Sequence, residues 1–141
     1  MKFIGIIPAR YASSRFPGKP LAVLGGQPVI QRVYEQVCQA LDTVYVATDD
    51  KRIIKKKKNF GGKVVMTSKD HKTGTDRIEE AVGKIAGEWD VVINIQGDEP
   101  FIHKGQIISL CNCFDDPATQ IATLGKPFTS MDAVENTNSP K

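Results

Sequence analysis

At 141 residues the chain has the length of one ordinary domain, enough to bury a core without disulfide or metal staples. Its 40% hydrophobic and 25% charged residues are those of a soluble globular protein, and a net charge of +3 is too mild to point to nucleic acid. No apolar run reaches the length of a membrane span, Lys2 leads into a strand without a small-residue cleavage site, and three cysteines with a lone C-x-C (Cys111, Cys113) fit neither a disulfide framework nor a zinc site, so a cytoplasmic protein with reduced thiols is expected.

Residues 3–7, FIGII, read as a buried strand, after which Pro8 should block further ladder pairing and turn the chain into a loop. That loop, to Leu21, carries Arg10, Arg15 and Lys19 among the small residues Ala9, Ala12, Ser13, Ser14 and Gly18. Small residues let backbone N–H groups approach a ligand, and the cations supply compensating charge, a combination suited to a polyphosphate. Three cations in a loop are more often merely solvated. Here Pro17, Gly18 and Pro20 restrain the loop, and it lies at a strand end, where open α/β sheets bind ligands. Neither a Walker loop nor a dinucleotide fingerprint is present.

Pro28 then opens a helix in which Val29, Ile30, Val33, Tyr34, Val37, Ala40 and Leu41 recur at helical spacing, with Cys38 on the apolar side. Residues 44–47 form a short β-branched strand ending at Thr48-Asp49-Asp50, a helix-capping sequence. The following helix should run to about Phe60 and stop at Gly61-Gly62. Its start, KRIIKKKK, places six cations in eight positions, so it reads as a solvated face and no function is drawn from it. Residues 63–66 are the next strand.

Thr73-Gly74-Thr75-Asp76 starts a third helix, with Glu79 completing a capping-box-like pattern and Ile78, Ala81, Val82 and Ile85 as its apolar stripe. Free N–H groups of its first turn can receive phosphate or carbonyl oxygens, and Arg77 can add a planar fork of donors. The structural alternative is Thr75 as a plain cap, with Asp76 favouring the positive helix end. Residues 90–95, DVVINI, are the clearest buried strand, followed by a helix over 104–114 and a fifth strand over 121–124. Strands alternating with helices imply right-handed βαβ units and a mostly parallel, doubly wound sheet. From about residue 129 the apolar content falls, and a poorly packed tail is expected.

DVVINI runs into Gln96-Gly97-Asp98-Glu99-Pro100, which places two carboxylates just beyond a strand end. Mg²⁺ held against nucleotide phosphates needs only one or two protein oxygens, and Asp98 is the candidate ligand. The structural alternative is an exposed Asp-Glu turn.

Together IPARYASSRFPGKPL, VYVATDD, GGKVVMTSKDHKTGTDR and VVINIQGDEP resemble the 3-deoxy-D-manno-octulosonate (KDO) cytidylyltransferases, or CMP-KDO synthetases, in register from Lys2 to about Pro100 and more weakly beyond. Sialic acid cytidylyltransferases share the IPAR start but are not expected to carry GTDR and QGDEP together. The resemblance implies an α/β, Rossmann-like three-layer nucleotidyltransferase fold, with residues 1–141 as its nucleotide-binding N-terminal part, truncated at the C-terminus. It implies a cytoplasmic homodimer serving lipopolysaccharide synthesis, which joins CTP and KDO into CMP-KDO and pyrophosphate with Mg²⁺.

By the same resemblance, Arg10, Ser13, Arg15 and Lys19 contact the triphosphate, Ala9 and Arg10 lie near the cytosine, and Ser14 and Gly18 add backbone or hydroxyl contacts. Asp98 holds Mg²⁺, Gln96 faces sugar or nucleotide, and Gly74, Thr75 and Arg77 recognise base and ribose. Arg10, Lys19 and Asp98 carry the catalysis. The family's later half, which supplies a second metal-binding aspartate and most of the sugar pocket, has no counterpart in this sequence, so weak or absent catalysis is expected. The alternatives are a cytidylyltransferase for another acidic sugar, of sialic acid type, and a non-catalytic nucleotide-binding module. A nucleic-acid binder is the weakest, since no aromatics interleave with the lysines to stack bases.

Overall fold

The computed structural model describes residues 1–12, 16–57 and 59–137. Two compact units divide the chain, Met1–Ile108 and Ser109–Lys141.

The first unit is organised by β1 (Phe3–Ala9), whose alternating side chains serve two buried faces. After it come a 3₁₀ turn (Lys19–Leu21) and a two-stranded hairpin, β2 (Val23–Leu24) and β3 (Gln27–Pro28), closed by Gly25-Gly26. The sequence reading missed this hairpin, although two glycines between LAVL and QPVI are a turn signal. Arg32 fastens it by donating from Nε to the Leu24 carbonyl and from Nη2 to the Gly25 carbonyl.

The remaining elements are α1 (Val29–Cys38), β4 (Val44–Thr48), α2 (Lys51–Lys57), β5 (Val64–Met66), α3 (Gly74–Lys84), β6 (Val91–Asn94) and α4 (Lys104–Asn112). The main sheet has the order β5-β4-β1-β6, and all its pairs are parallel. One face of β1, Ile4 and Ile6, packs with Ala47 and with Ile78, Ala81 and Ile85 of α3. The other face meets α1: a Cβ added at Gly5 would stand 2.8 Å from Leu41 Cδ1 and 3.4 Å from Val37 Cγ1. Helix, sheet and helix are the expected three layers of an α/β nucleotidyltransferase fold with a mostly parallel sheet.

Several boundaries differ from expectation. Pro8 does not end β1, which stays paired with β4 through Pro8↔Ala47 and Ala9↔Thr48. Parallel-strand residues face alternate neighbours: Gly5 N–H donates to Thr43 on the β4 side, and the Ile6 carbonyl accepts from Ile95 on the β6 side. Pro8 therefore faces β6, whose pairing stops at Ile6↔Asn94, so proline ends the ladder on that side, as expected, while β4 stays paired on the other. α1 ends at Cys38 rather than near Leu41, and Cys38 is exposed rather than apolar-facing, although Leu41 remains buried.

The α3 cap is Thr73, not Thr75, and Asp76 completes the capping box in place of Glu79. The stripe of Ile78, Ala81 and Ile85 stands as expected. α2 is capped by Asp50, which accepts the Arg52 N–H at 2.8 Å, and it buries Ile53 while exposing its cations at 51, 52, 55 and 56. Lys58 lies outside the described residues.

In the second unit a 3₁₀ turn (Cys113–Asp115) continues α4, and α5 (Met131–Glu135) starts from Ser130, whose hydroxyl accepts the Ala133 N–H. The expected strand over 121–124 is absent. Ile121 is 90% exposed and Leu124 50%, with no ladder partner among the described residues. An apolar β-branched pattern becomes a strand only when a neighbour supplies the hydrogen bonds.

Candidate functional site

The C-terminal ends of β1 and β6 meet over a cleft of about 170 Å³ lined by Pro8, Ala9, Arg10, Lys19, Pro20, Gln96, Gly97 and Asp98. Gly97 sets the closeness of this meeting. A Cβ at position 97 would lie 2.8 Å from the Pro8 carbonyl oxygen, a rigid backbone atom, so only glycine lets the loop after β6 lie against the end of β1. Asp98 then projects from a fixed backbone at 53% side-chain exposure.

From the opposite wall Lys19 reaches Asp98, with Nζ 2.9 Å from Oδ2 and 46% of the side chain exposed. Its backbone is set by the 3₁₀ turn, which buries Pro20 and is held by Leu21 N–H donating to the Gly18 carbonyl. Gly18 has φ +73, within the region glycine favours, and donates its N–H to the Tyr11 carbonyl at 2.8 Å while the Tyr11 ring covers it. Its N–H is thus spent on the loop itself. The same ring receives Arg52, whose guanidinium carbon is 3.2 Å from the ring centroid. Arg52 also grips Asp50 with both Nε and Nη2, and these hydrogen bonds hold the Asp50 carboxyl below its usual range.

Arg10 is exposed at the cleft, while Ala9 lines it at only 2% exposure. Gln96 is exposed and donates from Nε2 to Asn94 Oδ1 at 3.1 Å. Ser13, Ser14 and Arg15 lie outside the described residues.

The α3 N-terminus borders the same place: a Cβ at Gly74 would stand 3.6 Å from Pro8 Cγ. The capping box uses the Thr73 and Asp76 N–H groups and leaves those of Gly74 and Thr75, both exposed residues, uncapped among the described residues. Arg77 is arranged differently from its neighbours. It is 1% exposed, and its two terminal nitrogens go to Thr67 Oγ1 (2.5 Å), the Ser68 carbonyl (3.0 Å) and Asp49 Oδ2 (3.1 Å). This fork ties the ends of β4 and β5 beneath the α3 N-terminus, a contact spanning 28 residues that no local pattern announces.

A single carboxylate beside an exposed arginine and a lysine can hold a triphosphate and share one cation with it. Among the described residues no three His, Cys, Asp or Glu side chains converge as a self-sufficient metal cage. The lone Asp98 carboxylate matches the one or two protein oxygens that Mg²⁺ takes, the rest coming from phosphates and water. No helix among the described residues is long and apolar enough to cross a membrane. Local desolvation raises the Cys38 and Cys111 thiol pKa values.

A profile of the family described as "Cytidylyltransferase" matches residues 4–141. The chain is 68% identical over 144 residues to a 3-deoxy-manno-octulosonate cytidylyltransferase of Phocaeicola vulgatus, covering 100% of this chain and 57% of that protein. It is 53% identical over 131 residues to an 8-amino-3,8-dideoxy-manno-octulosonate cytidylyltransferase of a Shewanella species, covering 89% of this chain and 53% of that one. Among solved structures, a CMP:2-keto-3-deoxy-manno-octonic acid synthetase complexed with CTP superposes with a TM-score of 0.79 at 48% identity, covering 84% of this chain and 49% of that chain. The chain thus spans little more than half the length of these relatives.

Proposed function

The chain belongs to the cytidylyltransferase family, and from that premise we propose that its cleft binds CTP as the nucleotide half of a site that transfers CMP to the anomeric hydroxyl of KDO. The products are CMP-KDO and pyrophosphate: the sugar oxygen bonds to the α-phosphorus, the bond from that phosphorus to the β-phosphate bridging oxygen breaks, and the hydroxyl proton leaves. The observation that carries the reading is the meeting of Lys19 and Asp98 at 2.9 Å across the cleft, with Arg10 beside them.

Arg10 and Lys19 bind the triphosphate and offset the charge that gathers on departing pyrophosphate, with Ser13, Ser14 and Arg15 of the same loop adding further contacts. Gly18 shapes that loop. The uncapped N–H groups of Gly74 and Thr75, with the Ala9 backbone, meet the base and ribose, and Arg77 supports that wall from beneath. Gln96 faces sugar or nucleotide. Asp98 is the protein ligand for Mg²⁺, which when bound supplies neutralisation of phosphate charge. Holding the reacting groups in line is the remaining contribution, and no protein nucleophile is required.

In this reading residues 1–141 are the nucleotide-binding part of the enzyme, which acts in the cytoplasm as a homodimer and feeds lipopolysaccharide synthesis. The 141-residue chain binds CTP but forms CMP-KDO poorly or not at all. A second acceptor reading, an 8-amino relative of KDO, rests on the Shewanella protein's name and its 53% identity. Calorimetric titration with CTP and ATP, each with and without Mg²⁺, tests the proposal. Selective CTP binding, weakened about tenfold or more by Lys19→Ala and by Asp98→Ala in Mg²⁺, is expected. A folded chain that binds no CTP refutes the reading, and rapid CMP-KDO formation by it refutes the clause on activity.

A further inference from the structure

We propose that the Lys19–Asp98 ion pair is an exchangeable latch that makes nucleotide and divalent cation bind the cleft together rather than separately. The inference rests on the nucleotide-site reading above. Lys19 Nζ occupies Asp98 Oδ2 at 2.9 Å. A divalent cation arriving alone must displace that ammonium and then face its repulsion. A triphosphate arriving alone draws Lys19 to itself and leaves a bare Asp98 carboxylate beside its own negative charge. Arriving as a pair, the two ligands resolve both conflicts: phosphates take Lys19, and the cation takes Asp98. Linkage makes this coupling reciprocal.

The geometry permits the exchange at little cost. Both backbones are fixed, Asp98 behind Gly97 packed on the Pro8 carbonyl and Lys19 in a turn that buries Pro20. Both side chains remain about half exposed, so they part by rotamer change alone and their released charges meet water. That exposure also bounds the effect to about two- to fivefold on each ligand alone, the range of solvent-exposed ion pairs.

Two substitutions should move opposite ligands. Mn²⁺ binding without nucleotide is read from paramagnetic broadening of the Gly97 and Asp98 amide resonances, and CTP binding in EDTA from calorimetry. Lys19→Met should tighten Mn²⁺ binding about two- to fivefold while weakening CTP, and Asp98→Asn should tighten CTP in EDTA by a similar factor while abolishing the gain from Mn²⁺. If wild-type protein binds CTP better with Mn²⁺, yet neither variant tightens its ligand, the latch is wrong and the nucleotide site stands. If a folded wild-type chain binds no CTP under either condition, the nucleotide reading falls and takes the latch with it.

Discussion

The same change, glycine to alanine, should have opposite effects at positions 97 and 83. At Gly97 the new methyl would sit 2.8 Å from the Pro8 carbonyl oxygen and 3.5 Å from Ile7 Cγ2, so backbone must give way where β1 and β6 end. Overpacking of this kind costs about 1–3 kcal/mol, and for a chain of this length it lowers Tm by roughly 3–9 °C. Gly83 lies in the exposed flank of α3 with no atom within 4 Å of an added Cβ, so alanine should raise stability by about 0.5–1 kcal/mol through helix propensity. Thermal melts of both variants give the stability comparison. Calorimetry with CTP and Mg²⁺ then separates local from global damage: below its Tm, Gly97→Ala should still lose affinity because Asp98 is displaced, whereas Gly83→Ala should bind as wild type. A Gly97→Ala protein with unchanged Tm and unchanged CTP affinity would refute the argument that close approach at position 97 shapes the cleft.

Arg77→Met should cost about 3–5 kcal/mol in urea unfolding, because it strands the Asp49 carboxylate without its buried partner, and Asp49→Asn with Arg77→Met should recover part of that loss in a double-mutant cycle. Glu80 accepts from Lys84, from the Ser68 N–H and from His71, and these bonds depress its carboxyl from 4.5 to about 2. A depressed carboxylate stabilises the fold above its unfolded pKa and is lost as pH falls through its folded one, so wild-type Tm should drop between pH 4.5 and about 2, more steeply than in Glu80→Gln. Parallel melting profiles of the two proteins would contradict this. Arg32→Ala removes both hydrogen bonds to the Leu24–Gly25 turn and should raise amide exchange across the hairpin while lowering global stability by only about 1 kcal/mol; unchanged exchange there would exclude the clamp.

Elements whose cause is local could be read from the chain. The uncharged run FIGII became the inner strand β1, whereas DVVINI, expected to be the clearest buried strand, became the edge strand β6 with Val92 and Asn94 exposed; the spacing of Ile78, Ala81 and Ile85 marked the face of α3 that packs on Ile4 and Ile6. Lys19 and Asp98 were named for composition and strand-end position, yet their contact joins residues 79 apart and only the parallel sheet brings them together. Errors arose where a neighbour decides. Pro8 stays in its strand because β4 pairs on past it, residues 121–124 lack a ladder, and Thr73 wins the cap of α3 because Asp76 answers it. Arg77 shows the limit most plainly, since its sequence context suits a ligand fork while its burial commits it to Asp49 and Thr67.

Pro8 also serves as a keystone for the whole rim. Its ring faces Gly74, its carbonyl lies against Gly97, and the chain running on from it carries Arg10. Three segments far apart in sequence thus share one rigid bearing point, and a displacement of any one is passed to the other two. Any other residue at this position would add an N–H on the side facing β6, where the ladder now ends. The imide ring therefore lets the β6 side of the strand end part from β1 while the β4 side holds on, which opens the sheet edge at the rim.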